Sequence, residues 1–398
     1  MTVPSGYCAT GRTLKGAAAI TGYAEMKPQR RSGSHTPATI CAELARQSVA
    51  DAGLERAQID GLLTATPFSN HNILWPSYLC EYLNIRPRYF DTVDIGGASA
   101  AGMVWRAAAA IQAGMCNHVL CVTAEVMDSG FFARLAHLMP HSDLEFEIPY
   151  GNVPANAGYA MVAMRHMHEY GTTSRQLAKV AVDQRCNAQA NPDALFYGTP
   201  MSIEDVLNSR VVMEPLHLFE IVSPCTGGAA VIVSRADLAA RGPHRPVTLL
   251  GAGEAGTNVS ITNAPSLTSS WIEVAASHAF AMAGVTPQQM QFVQPYDCYT
   301  ITVAITFEDM GFCKKGHGGP FIAERDLTWQ GDLPCNTHGG QLSFGQAGQA
   351  GGMSHVVEAA RQLMGRAGER QVANATLGLA HGNGGILGEQ VTLILGVE

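Results

Sequence analysis

Three segments in the C-terminal part of the sequence carry side chains that could perform acid–base chemistry. Tyr296 and Cys298 follow a short apolar run, His338 lies in Asn-Thr-His-Gly-Gly, and His381 lies in Ala-His-Gly-Asn-Gly-Gly. Each segment lies at the end of a predicted strand or in a glycine-rich turn, which is where α/β folds place reactive groups. One such segment alone would more often be structural, but three of them favour a shared catalytic pocket.

Two further motifs have structural and functional interpretations. The segment from Gly97 to Ala101 nearly matches the nucleophile elbow GxSxG, with alanine in place of the last glycine. We interpret it as small residues that let a buried helix approach its neighbours, with a Ser/His/Asp hydrolase as the alternative. The segment 251–256 matches the dinucleotide pattern GxGxxG, but residues 257–263 are polar and turn-like instead of opening an amphipathic helix. We interpret it as a glycine-rich exit from a strand.

Short apolar runs alternate with helical patterns in both halves of the chain. Strands are predicted at 17–23, 59–65, 118–123, 229–234, 247–251, 291–294, 376–379 and 390–395, and helices at 38–52, 99–113, 271–283 and 351–364. This alternation predicts an α/β fold, with a mostly parallel sheet covered by helices. The same βα rhythm in both halves suggests a duplicated fold.

A proline-containing segment, 127–213, interrupts this rhythm. We interpret it as an inserted loop domain of the kind that covers an active site. Residues 1–126 and 214–243 would then form the N-terminal half, and residues 244–398 the C-terminal half.

The composition excludes several classes of protein. The formal net charge of −8 argues against nucleic-acid binding through a general positive field. No apolar run is long enough to span a bilayer, and no secretory signal is visible. The ten cysteines include no CxxC pair, so we expect no metal site and reduced thiols in a cytoplasmic protein.

These segments, in this order, resemble the thiolase superfamily, specifically its sterol-carrier and lipid-transfer-protein-like branch, over nearly the whole chain. In the frame Val-Asp-Ile-Gly-Gly-Ala-Ser, Gly97 falls where the family carries its nucleophilic cysteine, and no cysteine lies within fifteen residues of it. Because an acyl-enzyme requires a thiolate there, thiolysis through an acyl-cysteine is expected to be absent. The resemblance implies a five-layered αβαβα thiolase fold built from two duplicated halves.

The remaining family motifs are altered in an informative way. The second motif is Tyr-Asp-Cys-Tyr, in which Tyr296 stands at the oxyanion-binding position and Cys298 matches an acid/base cysteine of the sterol-carrier type. The histidine of the Gly-His-Pro motif is Gln346, and His381 represents the fourth motif. The residues expected to bind the substrate or its oxyanion are Gly97, Ser99, Gln346, Gly384 and Gly385.

In having a tyrosine at position 296, the sequence resembles the steroid side-chain aldolases of this branch, which cleave β-hydroxyacyl-CoA thioesters by retro-aldol chemistry. They share Asn-Thr-His-Gly-Gly and Phe-Tyr-Gly, seen here at 336–340 and 196–198, whereas their second catalytic tyrosine would fall at Gln346. The resemblance implies acyl-CoA as substrate, no cofactor bound by this chain, a homodimer, and a small partner protein with an OB-fold and zinc ribbon.

Three functions remain open from the sequence. The first is a C–C lyase or aldolase acting on a CoA thioester, and the second is an acyltransferase that uses direct transfer or another residue such as Cys298. The third is a non-catalytic subunit that binds an acyl chain and a partner. If the resemblance holds, Tyr296, Cys298, His338, Gln346 and His381 converge beside Gly97 and Ser99. Gly97 is expected to leave a space that a substrate hydroxyl could occupy.

Overall fold

The computed structural model describes residues 13–127, 141–152 and 155–397. The strands are β1 (Ala18–Glu25), β2 (Gly61–Thr64), β3 (Tyr89–Thr92), β4 (His118–Glu125), β5 (Val211–Met213), β6 (Leu216–His217), β7 (Gly227–Arg235), β8 (Val247–Gly256), β9 (Phe292–Pro295), β10 (Leu377–Gly384) and β11 (Glu389–Gly396). The α-helices are α1 (Pro37–Asp51), α2 (Trp75–Leu83), α3 (Ser99–Gln112), α4 (His141–Phe146), α5 (Asn156–Tyr170), α6 (Ser174–Gln189), α7 (Ile203–Leu207), α8 (Ala236–Ala239), α9 (Ile272–Ala283), α10 (Thr300–Asp309), α11 (Gly318–Glu324), α12 (Gly340–Ser343) and α13 (Gly351–Leu363).

The main sheet repeats one topology twice. Its strand order is β3-β2-β4-β7-β1-β8-β11-β10-β9. When the strands of the N-terminal half are numbered by their position along the chain, their order across the sheet is third, second, fourth, fifth, first. The C-terminal half has the same order, with the parallel bridge of Cys335 to Val293 in the place of the third strand. The two half-sheets meet through a short antiparallel contact between β1 and β8. The predicted duplication is therefore present in the topology.

The expectation of a mostly parallel sheet was wrong, because five of the eight strand pairings in the described main sheet are antiparallel. Strands β10 and β11, for example, are joined by a short turn and not by a crossover helix, and such a connection gives antiparallel pairing.

Three hydrophobic clusters alternate with the two half-sheets. The middle cluster surrounds α3 and α13 and includes the fully buried Met103 and Val357. One outer cluster joins α1 and α2 to the N-terminal half-sheet. The other joins α9 and α10 to the C-terminal half-sheet and includes residues of α5 and α6. Helix, sheet, helix, sheet and helix follow one another, which is the five-layered arrangement expected from the sequence.

Glycines bring β10 into contact with the turn that precedes α3. A Cβ atom built on Gly382 would lie 2.7 Å from Cα of Ala98, and one built on Gly384 would lie 2.0 Å from the carbonyl oxygen of Ile95. Non-bonded atoms do not approach so closely, so neither position has room for a side chain. The two glycines place the strand against the turn Gly96–Ala98, where the candidate site is built.

Two expectations about glycine-rich segments were wrong. The segment 251–256 continues β8 instead of leaving it, because Gly251 and Gly253 face α9. A Cβ atom on either would lie 2.0 Å from a helix carbonyl oxygen, that of Ala279 or Ala275 respectively. The glycines therefore serve close helix–strand packing. Likewise β10 extends to Gly384, so His381 lies within the strand and not in a turn after it.

Between β4 and β7 the chain forms the helices α4 to α7 and the strands β5 and β6. These two strands pair antiparallel in a small sheet of their own. This is where the loop domain was predicted, and residues 128–140 and 153–154 of it lie outside the described residues.

The nine cysteines in the described ranges are all free thiols. In those same ranges, no helix has both the length and the apolar character that a bilayer crossing requires.

Candidate active site

Tyr296 directly follows β9 and lies against the turn that precedes α3. It is 4% exposed. A Cβ atom built on Gly97 would lie 2.1 Å from Cζ and 2.2 Å from Oη of Tyr296. The phenol therefore occupies the space that a side chain at position 97 would need. The expectation of an empty space beside Gly97 was wrong, because the tyrosine hydroxyl is already there.

Gln346 holds the phenol from the other side. Its Nε2 atom donates a hydrogen bond to Oη of Tyr296 at 3.2 Å. Its own backbone is fixed by two hydrogen bonds, to the carbonyl of Ser223 and from the N–H of Cys225. Burial raises the pKa of Tyr296, and the nearby Cys298 raises it further. The hydroxyl is therefore neutral near pH 7 and can donate a proton or pass one on, but it cannot serve alone as a base.

Cys298 belongs to a polar network beside the same site. Its Sγ atom is 3.9 Å from Nδ2 of Asn383. That amide also donates to Oη of Tyr159, which in turn donates to the carbonyl of Gly385, each at 2.8 Å. Burial raises the pKa of Cys298 to about 12. The thiol is therefore protonated near neutral pH, which suits a proton donor and not a nucleophile.

His338 is fully buried beside a second histidine, His355 of α13. Their ring centroids are 5.2 Å apart in an edge-to-face arrangement, and neither ring nitrogen of His338 has a hydrogen-bond partner. Burial, followed by repulsion from His355, holds the pKa of His338 well below its usual value. His338 is therefore neutral, and it contacts the site through His355.

His355 in turn connects this pair to Tyr296 and to a buried carboxylate. The ring centroids of His355 and Tyr296 are 5.9 Å apart, and Nε2 of His355 lies 3.1 Å from Oδ1 of Asp297. Backbone N–H groups of Gln341 and Leu342 donate to the two carboxylate oxygens of Asp297. The carboxylate is thus fixed at the start of α12, directly next in sequence to Tyr296.

His381 is near the site but has no free nitrogen. Its Nδ1 atom pairs with the hydroxyl of Thr392 and its Nε2 atom with Oε1 of Gln390, each at 3.0 Å. Burial lowers the pKa of His381 to about 3. Gln390 also donates to Asn383, so His381 supports the network around Cys298. This position suits a structural support better than a base.

The residues expected to bind the substrate lie at the same place, with their polar atoms largely engaged. The hydroxyl of Ser99 accepts from the N–H of Ile95 and donates to the carbonyl of Gly96, so it closes the turn before α3. The Ser99 hydroxyl is therefore not free to act as the nucleophile that the Ser/His/Asp hydrolase alternative requires. Gly384 packs on the Ile95 carbonyl, whereas Gly385 accepts the hydrogen bond from Tyr159. Within the described ranges, no group of three or more His, Cys, Asp and Glu side chains could hold a metal ion.

Sequence reasoning missed His355, Asp297, Gln341 and Tyr159. Asp297 was quoted in the Tyr-Asp-Cys-Tyr motif without a role, although a carboxylate directly after a buried strand is itself a signal. His355 is a lone histidine in the helical pattern 351–364 and was not singled out. Its role depends on a residue 58 positions away, so no local pattern could reveal it.

Comparisons with known proteins show what this chain is similar to. A family model described as "Thiolase C-terminal domain-like" matches residues 253–397. The steroid side-chain-cleaving aldolase of Thermomonospora curvata is 34% identical over 88% of this chain and 91% of that protein. The 17-hydroxy-3-oxo-4-pregnene-20-carboxyl-CoA lyase of Mycobacterium tuberculosis is 33% identical over 88% of this chain and 92% of that protein.

A solved structure shows the same likeness in three dimensions. The structure described as "Ltp2-ChsH2(DUF35) aldolase" superposes with a TM-score of 0.85 at 32% identity, covering 96% of this chain and 98% of that chain. The sequence comparisons and the structural comparison therefore indicate the same family and fold, and each of the full-length matches covers most of the chain.

Proposed function

Because the chain belongs to the thiolase superfamily, in its sterol-carrier and lipid-transfer-like branch, we propose that it is a C–C lyase that cleaves a β-hydroxyacyl-CoA by a retro-aldol reaction. The observation that carries this proposal is the packing of Tyr296 against Gly97. The phenol fills the position where the family's nucleophilic cysteine would stand. A proton-transferring group thus replaces the nucleophile, which fits a reaction without a covalent intermediate.

The reaction needs a proton acceptor and a site for negative charge. The proton of the β-hydroxyl must leave, the O–H electron pair becomes the new carbonyl, and the Cα–Cβ bond breaks. Its electrons form an enolate on the thioester, which is then protonated at Cα to give the shorter acyl-CoA. In this proposal Tyr296 relays the hydroxyl proton, and the Gln346 amide with backbone N–H groups of the glycine-rich segments donates hydrogen bonds to the enolate oxygen.

The relatives support this substrate class. One is named a lyase of a 17-hydroxy, 20-carboxyl-CoA steroid, in which the hydroxyl is β to the thioester carbonyl. We propose a β-hydroxyacyl-CoA for this chain as well, with the acyl group open among steroid, aromatic and short branched types. We also propose a cytoplasmic location, in keeping with the free thiols of the described residues.

We propose two assemblies. One is a homodimer formed by the N-terminal half-sheets, whose edge strand β3 exposes Phe90 to 47%. The other is a complex with a small OB-fold and zinc-ribbon protein, suggested by the two-part name of the similar aldolase structure. Light scattering of the chain alone and after mixing with such a partner tests both assemblies.

Incubation with a β-hydroxyacyl-CoA, with and without the partner, separates the candidate functions. Retro-aldol cleavage releases one ketone or aldehyde for each shorter acyl-CoA, with no change in protein mass. The acyltransferase alternative through Cys298 predicts an acyl adduct on the intact protein instead. If neither a cleavage product nor an acyl adduct forms, the remaining candidate function is the non-catalytic subunit.

A further inference from the structure

Arg185 of α6 is a buried cation without a carboxylate partner. The residue is 5% exposed, and its Nε and Nη1 atoms donate to Oγ of Ser343 and to the carbonyl of Thr199. Among the residues that the structure describes, no ion pair involves it. Burying a charge is costly unless an opposite charge or a ligand compensates it. The two hydrogen bonds to neutral oxygens need no charge, so they do not explain why a guanidinium is buried here.

A second guanidinium, that of Arg30, lies near the first and is also unpaired within the described part of the chain. The Cζ atoms of Arg30 and Arg185 are 4.9 Å and 4.1 Å from the centroid of the Phe196 ring. Burial, followed by repulsion from Arg30, lowers the pKa of Arg185 to about 10. The carboxylate of Asp193, close to Phe196 in sequence, is paired with Lys27. The two arginines therefore form an uncompensated positive site, and a bound anion would offset their repulsion.

This positive site adjoins the segment that carries Gln346. The hydrogen bond to Ser343 brings the buried guanidinium within three residues of Gln346, a span of at most about 11 Å. Burial raises the pKa of the Cys225 thiol to about 12, and the charge of Arg30 opposes that rise. The N–H of Cys225 donates to the carbonyl of Gln346, whose amide donates to Tyr296. One extended molecule can therefore reach both the cations and the phenol.

We infer that Arg30 and Arg185 form a phosphate site, which holds the phosphate groups of the CoA thioester while the pantetheine arm leads to Tyr296. This inference rests on the proposed function, which supplies the CoA thioester. It adds a binding site at residues to which neither the sequence motifs nor the names of the relatives assign a ligand.

The chemistry of the two side chains favours phosphate. A guanidinium presents paired N–H donors in a planar fork, which matches two oxygens of a phosphate group. The Nη2 atom of Arg185 has no hydrogen-bond partner among the described residues, so it remains available to a ligand. The formal net charge of the chain is −8. Such a chain repels a polyanion such as CoA, so the phosphates of CoA need a local positive site.

Calorimetric titration of the full-length protein with CoA and dephospho-CoA tests this site without turnover. Arg30→Ala and Arg185→Gln should each raise the Kd of CoA by about 10- to 100-fold, the usual effect of losing a hydrogen bond to a charged group. The Kd of CoA should also depend less on salt in both variants, because a screened charge contact is lost. A loss for CoA alone assigns the 3′-phosphate to the site, whereas an equal loss for dephospho-CoA assigns the diphosphate.

The control is Arg56→Ala. Arg56 is exposed and follows α1, whereas Arg30 precedes that helix, so the two lie at opposite ends of it. This variant should bind CoA with the wild-type Kd. Thermal unfolding shows whether each variant is folded. If Arg185→Gln does not fold, Arg30→Ala still tests the site, because Arg30 is exposed.

Wild-type Kd and salt dependence in the folded arginine variants would overturn the site, and so would a wild-type protein that binds no CoA. Inorganic pyrophosphate that binds as tightly as CoA, and through the same arginines, would show a site for free phosphate and overturn the assignment to CoA. A protein that binds CoA through Arg30 and Arg185 but cleaves no β-hydroxyacyl-CoA, even with its partner, would instead refute the proposed reaction. The two failures are therefore distinguishable.

Discussion

Replacing Gly97 with alanine should displace Tyr296. The new Cβ atom would start 2.1 Å from Cζ of the phenol, whereas ordinary contact begins near 3.4 Å. The ring or the turn must therefore move by about 3.4 − 2.1 = 1.3 Å. Either movement disturbs the 3.2 Å hydrogen bond from Gln346. Gly97 is not one of the glycines with positive φ, so the effect is steric and not one of backbone strain.

The expected magnitudes follow from that displacement. A reacting group misplaced by about 1 Å can cost about 10² in rate, and overpacking a buried site typically costs about 1–3 kcal/mol of stability. Steady-state kinetics with a β-hydroxyacyl-CoA should therefore show kcat about 10²-fold lower, and urea unfolding should show a lower midpoint. Gly242→Ala is the matched control, since its Cβ atom would meet nothing closer than 3.4 Å.

A double variant shows whether the clash is the cause. Tyr296→Ala removes the ring, so adding Gly97→Ala to it should cost much less stability than adding Gly97→Ala to the wild type. The difference is the coupling energy, expected to exceed about 0.5 kcal/mol for residues in contact. A Gly97→Ala protein with wild-type kcat and unfolding midpoint would show that the phenol does not occupy this position. Gly97→Cys should likewise gain no thiolase activity, because Gln346 stands where the activating histidine would be.

Three further predictions follow from single contacts. Tyr296→Phe should lower kcat by about 10²–10⁴ with little change in the urea midpoint, since the ring remains; a fully active variant would contradict the role of the hydroxyl. Gly253→Ala should destabilise the protein by about 1–3 kcal/mol in urea unfolding, because its Cβ atom would lie 2.0 Å from the Ala275 carbonyl oxygen; an unchanged midpoint would show that α9 and β8 have room to separate. The pKa of His381 is about 3 in the folded protein because of burial, whereas an unfolded imidazole has a pKa near 6.5. The unfolded chain therefore binds the extra proton first, and stability is lost as the pH falls below 6.5, by about 2 kcal/mol at pH 5 ((6.5 − 5) × 1.36). His381→Asn should remove this component from the pH dependence of urea unfolding, and an unchanged pH dependence would contradict the assignment.

Much of the fold was accessible from local patterns. The run 118–123 and the small-residue helix 99–113 were placed within a few residues of β4 and α3, because continuous apolar runs and helical spacing depend on nearest neighbours. The direction of the strands was predicted wrongly, because strand pairing is a long-range property, and two further errors fell on glycine-rich segments. In β8 and in β10, glycine was taken as a sign of a turn, whereas Gly253 and Gly382 are needed for close packing against α9 and the turn before α3.

The candidate site divides in the same way. The amino-acid sequence alone established that position 97 carries no nucleophile and that a tyrosine and a cysteine stand in the motif after β9, because residue identity at a motif position is a local property. Only the tertiary structure decided that the phenol of Tyr296 fills the space at Gly97, 199 positions away in the chain. It also decided that His381 is held by Thr392 and Gln390, and that His355 meets Asp297. These relations depend on how strands and helices from both halves pack to within about an ångström, and no sequence pattern carries distances of that kind.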